Sequence, residues 1–239
     1  MKDPVDYSLV EQYAPILHFH PAEGDFCCYP CDAEVTYHLF KDDWSKFEVD
    51  MSPNELDPNT PCYYEVWDDL SMIQIRYWFW YKYNKFPNAP FGKGQHLGDW
   101  EHVEVRIYKN ADVTIWLLSN HLSARLTALP SGYTLPNFAY ESGIITDNHV
   151  HAVVALGSHA HYPSFDSKPY CAARIFCDKF KEGGLDWYTE NNLVPIHETN
   201  FFSYTGRWGD KDAPRSPTNE YNNRERNAPL VAPLRDTEK

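Results

Sequence analysis

Two stretches of this chain alternate with the two-residue period of a β-strand, and no other feature restricts the fold as much. In "SMIQIRYWFWYKYN", Ile73, Ile75, Tyr77 and Phe79 alternate with Gln74, Arg76, Trp78 and Trp80. In "DWEHVEVRI", Glu101, Val103, Val105 and Ile107 fall on one side, and Trp100, His102, Glu104 and Arg106 on the other. Successive side chains of a strand point to opposite faces of its sheet. The spacing therefore predicts strands over residues 71–81 and 99–108. Aromatic residues make up 16% of the chain, a content that suits pleated surfaces and also the walls of a pocket for a flat or greasy ligand.

Further strands are predicted in "APILHFH", "AEVTYHLF", "DVTIWLLSNH" and "HVHAVVALGSHAHYP", the last broken at Gly157, with "YCAARIFCDKF" and "NFFSYTGRW" as additional candidates. "PVDYSLVEQY" reads as a short helix, and "KDDWSKFEVDMSPNELDPNTP" and "KFPNAPFGKGQHLG" as turn-rich loops. No strong helix recurs between strands, which argues against a parallel βαβ sheet. The expected fold is all-β: an antiparallel β-sandwich with short peripheral helices and long loops. With 239 residues, 43% of them hydrophobic, the chain suffices for one such domain over 1–239. No internal repeat or linker interrupts it, and from about residue 209 its composition is that of an irregular tail.

A formal charge of −13 makes nucleic acid and anionic membrane poor partners, since both require clustered Lys and Arg. Asp3, Asp6 and Glu11 stand where a signal peptide would have its apolar core, and no stretch approaches the roughly 20 apolar residues of a membrane span. The expectation is a soluble, cytoplasmic protein without stable membrane insertion. Of the six cysteines, Cys28 and Cys31 have C-x-x-C spacing, but in a loop rather than at the start of a helix. Free structural thiols are favoured over a metal or disulfide role.

The polar residues around the second strand pose a question. Asp99 and Glu101 sit on the side that is otherwise apolar, where an unpaired charge costs several kcal/mol. One answer is a divalent cation held by Asp99, Glu101 and His96 from the preceding loop; two carboxylates and an imidazole suit Mg²⁺, Mn²⁺, Fe²⁺ or Zn²⁺, and oxygen-rich shells suit Ca²⁺. The other is that Asp99 caps a turn and Glu101 pairs with Arg76 or Arg106. His149, His151, His159 and His161 share strand parity in a single run, which Gly157 can interrupt.

"GQHLGDWEHVEVRI" resembles the G-x-H-x-G-D-W-E-H-V signature of the Vps62-related proteins. "YAPILHFHPAE", "IRYWFWYKYN", "VVALGSHAHYPS" and "TGRWGDKDAPRSP" resemble further segments of that family, so the resemblance runs from about Tyr13 to Pro217. The same hexad resembles the "GHRHDWE" heptapeptide of the necrosis- and ethylene-inducing cytolysins, whose His, Asp and final Glu bind a divalent cation on a β-sandwich. His96, Asp99 and Glu101 stand at the matching offsets, while Leu97 and Gly98 replace Arg and His. The resemblance implies a metal at these three residues and a C-terminal segment that packs on the domain.

Two functions follow as expectations. The first is an intracellular metal-dependent enzyme acting on a small, largely apolar molecule, with metal-water or Lewis-acid chemistry, His159 or His121 as acid or base, and Trp78, Trp80 and Trp100 walling the pocket. The second is a non-enzymatic, cation-dependent binder of glycans or lipid head groups, or a cytolysin. His102 faces away from Glu101 and is assigned either to packing or to supporting the site residues from behind.

Overall fold

The run of residues that alternates most cleanly becomes the centre of the larger sheet. The structure, a computed structural model, describes residues 7–26, 28–68, 70–87, 89, 92, 94–110, 113–119, 127–128, 143–172, 174–209 and 211–219. Its elements are α1 (Tyr7–Gln12), β1 (Ile16–His18), α2 (Glu23–Phe26), α3 (Ala33–Phe40), β2 (Cys62–Asp68), β3 (Met72–Lys85), β4 (Gln95–Tyr108), β5 (Val113–Leu118), β6 (Thr127–Ala128), β7 (Ile145–Thr146), β8 (His149–Val154), β9 (His161–Tyr162), β10 (Cys171–Ala172), β11 (Phe176–Cys177), β12 (Asp186–Tyr188) and β13 (Leu193–Pro195). The two strands expected over residues 71–81 and 99–108 are present and extend further, as β3 and β4.

The larger sheet has the order β13-β2-β3-β4-β5-β6, the second β12-β1-β8-β7 with β9 paired to β8, and β10 and β11 form a separate two-stranded sheet. The fold is mostly β, as expected, but the sheets are mixed rather than purely antiparallel: β1 runs parallel to β8, and β13 parallel to β2. Hairpin neighbours such as β3 and β4 must be antiparallel, whereas strands joined by long excursions are free to pair either way.

Alternation along β3 and β4 feeds two different cores. Tyr77, Phe79, Tyr81, Val103 and Val105 face the second sheet and pack with Leu17, Val150, Ala152, Val154 and Trp187. Trp78, Trp80 and Trp100 face the other way and pack with Tyr63, Phe47, Phe201 and Trp208. The larger sheet is covered on both faces, which explains why its central strand is almost continuously aromatic.

"AEVTYHLF", expected as a strand, is helix α3. Asp32 caps it by accepting from the Glu34 N–H at 2.8 Å. Its buried positions, Ala33 and Thr36, follow helical spacing. β2, which the alternation did not single out, pairs along β3 from Tyr63–Trp78 to Asp68–Ile73. "NFFSYTGRW" forms turns, with Arg207 bridged to Arg215. The expectation of free cysteines holds for Cys31 and Cys62 but not for Cys171 and Cys177, which form a disulfide across the β10–β11 hairpin. Cys28 is also disulfide-bonded.

Residues after β13 return to the large sheet. Trp208 is fully buried, its N–H donates to Pro214 O at 3.1 Å, and Ala213 and Ser216 are buried behind it. The described part of the tail, to residue 219, thus packs on the domain; residues 220–239 lie outside the described residues. This return depends on Gly98. Its φ is +75°, and a Cβ there would lie 1.8 Å from Trp208 O and 2.7 Å from the Trp80 ring. Gly98→Ala is expected to lower stability by roughly 3 kcal/mol, from left-handed strain and overpacking together. Equilibrium denaturation checks this; a loss under about 1 kcal/mol would remove the glycine's role.

Candidate functional site

Asp99 and Glu101 lie on the apolar-facing side of β4, near its middle, 7% and 8% exposed. Opposite them is the turn between β8 and β9. The Ala155 N–H donates to Ala160 O at 2.9 Å, and the His159 N–H to Ala155 O at 3.0 Å. Gly157 has φ +66°, and a Cβ there would come 2.3 Å from the Phe26 ring; its carbonyl accepts from the Lys85 N–H at 2.6 Å. Pinned on both sides, the turn drives His159 inward with φ +55°, a conformation rare for a non-glycine residue. Strain of this kind persists only where the surroundings over-determine it.

His159 is fully buried and lies between two carboxylates. Its Nδ1 is 3.0 Å from Asp99 Oδ2, its Nε2 is 3.6 Å from Glu23 Oε1, and its ring stacks on Tyr81 with centroids 3.8 Å apart. Glu23, on α2, also accepts the Gly157 N–H at 3.2 Å. Glu101 accepts a short hydrogen bond from Ser119 Oγ, which in turn accepts the His102 N–H at 2.8 Å and lies 3.2 Å from His161 Nδ1.

Burial opposes charge on His159, but its hydrogen bond to Asp99 and the attraction of the nearby Glu23 and Asp99 carboxylates outweigh it and hold its pKa up at about 9. Burial, then repulsion from Asp99, pushes the Glu101 carboxyl well above the usual carboxylate range, against the Ser119 bond and His159. Burial takes His161 down to about 3, and takes His102 well below an ordinary histidine. At neutral pH the arrangement is an imidazolium among carboxyl groups, with the neighbouring imidazoles neutral.

Of the two carboxylates on this apolar face, Asp99 meets His159 and Glu101 meets Ser119. His96 does not converge on them: its Nδ1 is bonded to Gly98 O at 2.7 Å. Among the described residues, no group of three or more His, Cys, Asp or Glu side chains is arranged to hold a metal ion. Arg76 and Arg106 pair with Glu104 rather than Glu101, and hold its carboxyl below the usual range against its burial. Trp78, Trp80 and Trp100 lie across the sheet from Asp99 and Glu101, inside an aromatic core, and line no site with them. His121 falls outside the described residues. His102 packs as expected, against Trp78 with centroids 4.7 Å apart. Glu23, Ser119 and Tyr81 escaped the sequence reading; Glu23 sits in a polar loop sequence with no mark of its burial.

On the far side of α2 is a cavity of about 460 Å³ lined by Pro21, Asp25, Tyr29, Asn54, Glu55 and Leu185, among others. Glu23 points from α2 into the charged cluster, while Gly24 and Asp25 border the cavity. Gly24 O accepts the Asn54 N–H at 3.0 Å, joining the two walls. Burial, then the carboxylates Glu23, Asp25 and Glu55, raises the pKa of the Tyr29 hydroxyl.

No protein-family profile matches the chain. It is 25% identical over 171 residues to Vacuolar protein sorting-associated protein 62 of Saccharomyces cerevisiae, covering 60% of this chain and 36% of that protein. The chain is similar to Vps62. The match spans little more than a third of the relative's length. Among solved structures, Necrosis and Ethylene inducing Protein 2 from the causal agent of cocoa's Witches Broom disease is 15% identical, covering 79% of this chain and 73% of that one, with TM-score 0.41. NLPPya in complex with glucosamine is 13% identical, covering 93% and 90%, with TM-score 0.44. Neither likeness is close enough to transfer a site.

The two answers to the carboxylate question separate experimentally. If His159 is the counter-charge, His159→Gln strands two buried carboxylates and should cost roughly 3–5 kcal/mol. Glu101→Gln, which replaces a carboxyl already pushed toward its neutral form, should change stability by less than about 1 kcal/mol. Denaturation with and without chelator, beside elemental analysis, checks both; a large chelator-sensitive loss in Glu101→Gln would restore the metal.

Proposed function

We propose that this chain is a non-enzymatic binding protein that holds a polyhydroxylated head group, such as a sugar ring, in the cavity beside α2. The composition of that cavity carries the reading. Tyr29 offers a ring face, Asp25 and Glu55 accept hydrogen bonds from hydroxyls, and Pro21, Leu56 and Leu185 supply apolar contact. The volume, about 460 Å³, lies within the range of small-ligand sites. The charged cluster supports the reading by fixing α2, and with it Gly24 and Asp25.

The enzymatic reading has less support. A general acid or base has to reach its substrate, and His159 is sealed, with both ring nitrogens facing carboxylates. Among the described residues, no helix is long and apolar enough to cross a membrane. The Cys171–Cys177 bridge and the bonded Cys28 favour an oxidising compartment over the cytoplasm.

Calorimetry with glucose, mannose and glucosamine tests the proposal. At least one should bind. Tyr29→Ala should weaken it by at least about tenfold, the equivalent of about 1.4 kcal/mol, and Glu55→Gln by a smaller factor. Absence of binding by all three, or equal binding by Tyr29→Ala, would sink it.

A further inference from the structure

A second polar constellation lies on the smaller sheet, apart from the charged cluster. Asp186 Oδ1 is 2.6 Å from His18 Nδ1; His18 Nε2 is 2.7 Å from His151 Nδ1; His151 Nε2 is 2.6 Å from Thr146 Oγ1. The two imidazoles stack with centroids 5.0 Å apart and planes 11° from parallel. The chain of bonds crosses β12, β1, β8 and β7, every strand along the main path of that sheet.

The carboxylate end fixes the direction of the whole chain. Asp186 only accepts, so His18 donates from Nδ1 and accepts at Nε2; His151 then donates from Nδ1 and accepts at Nε2 from the Thr146 hydroxyl. One added proton is tolerated, because the hydroxyl can rotate away from His151 Nε2. A second cannot be accommodated: it sets N–H against N–H across the 2.7 Å gap between two cations. Burial, then His18, holds His151 below an ordinary histidine, with Asp186 opposing and His149 reinforcing the shift. The chain thus survives while at most one imidazole is charged, and is lost once pH falls far enough below about 6.5 to charge both.

Two residues flanking the β1–β12 pair joined by this chain, Pro21 and Leu185, line the cavity. Leu185 precedes Asp186, and its carbonyl accepts the Phe19 N–H at 2.9 Å. Pro21 follows β1 by three residues. Gly184 packs so close that a Cβ would lie 1.9 Å from Phe19 O. Any separation of β1 from β12 therefore moves Leu185 and Pro21.

We propose that Asp186, His18, His151 and Thr146 form an acid-opened latch that regulates the cavity by setting its Leu185–Pro21 wall. The regulatory part rests on the head-group reading above; the latch itself does not. The titrating groups that act on His151 are His18, Asp186 and His149; those that act on His20, beyond β1, are Glu23, Lys181 and Lys179.

Hydrogen exchange tests the latch without a ligand. Between about pH 7 and about pH 5, and after correction for intrinsic rates, peptides covering residues 16–21 and 184–188 should lose at least about tenfold protection. The loss should vanish in His151→Gln, whose amide bonds without titrating, and persist in His20→Gln. Constant protection in the wild type, or an unchanged loss in His151→Gln, overturns the latch. Glucose, which carries no titrating group, tests the coupling: its binding should weaken at least about threefold over the same interval in the wild type and stay level in His151→Gln. Level glucose binding in the wild type, with exchange still shifting, overturns regulation of the cavity. If glucose binds at neither pH, mannose, which also carries no titrating group, takes its place; failure of both counts only against the head-group reading and leaves the exchange measurement to decide the latch.

Discussion

An imidazolium buried between carboxylates organises this protein. His159 would cost several kcal/mol alone in an apolar interior, and so would Asp99 and Glu23. Together they satisfy one another, and each comes from a different part of the chain: the β8–β9 turn, β4 and α2. Meeting at one point, they fix how the two sheets and the short helix sit together. The positive φ of His159 and the close packing of Gly157 against Phe26 are the local cost of that meeting.

The rest of the architecture follows from a sheet buried on both sides. The odd-numbered face of β3 and β4 meets the smaller sheet, while the even-numbered face carries Trp78, Trp80 and Trp100 into a cluster completed by α3 and by Trp208. Polar residues on these faces are resolved in the same way as His159. Glu104 lies between Arg76 and Arg106, and Glu101 is bonded to Ser119. The candidate binding cavity borders this framework, and the histidine latch crosses the smaller sheet.

Period-two alternation made β3 and β4 legible, and with them the two faces and the anomaly of Asp99 and Glu101. What met those carboxylates was not legible. The orientation of His159 depends on a turn whose geometry is set by contacts with residues 26 and 85, far away in sequence. Glu23 is one acid among several in a polar stretch, and only Gly157 and His159 make it special. The parallel pairs were hidden because alternation specifies a face and not a neighbour. The tryptophans looked like pocket walls because the residue that covers them, Trp208, sits in a segment of polar composition. The Asp32 cap of α3, by contrast, was present in the sequence and lost to an apparent strand pattern.

The charged cluster also bears on how the chain reaches its native topology. Asp99 and His159 are 60 positions apart, and Glu23 and Gly157 are 134 apart. Contacts so remote form slowly, because loop-closure entropy is lost before they return anything. No one of the charges can leave water early without stranding itself, so the cluster closes only when strands, turn and α2 have all docked. An assembly with strands in the wrong order would bury a charge without its counterpart. The cluster thereby acts as a proofreading step in folding, admitting to the compact state only chains whose distant segments have met in the right arrangement.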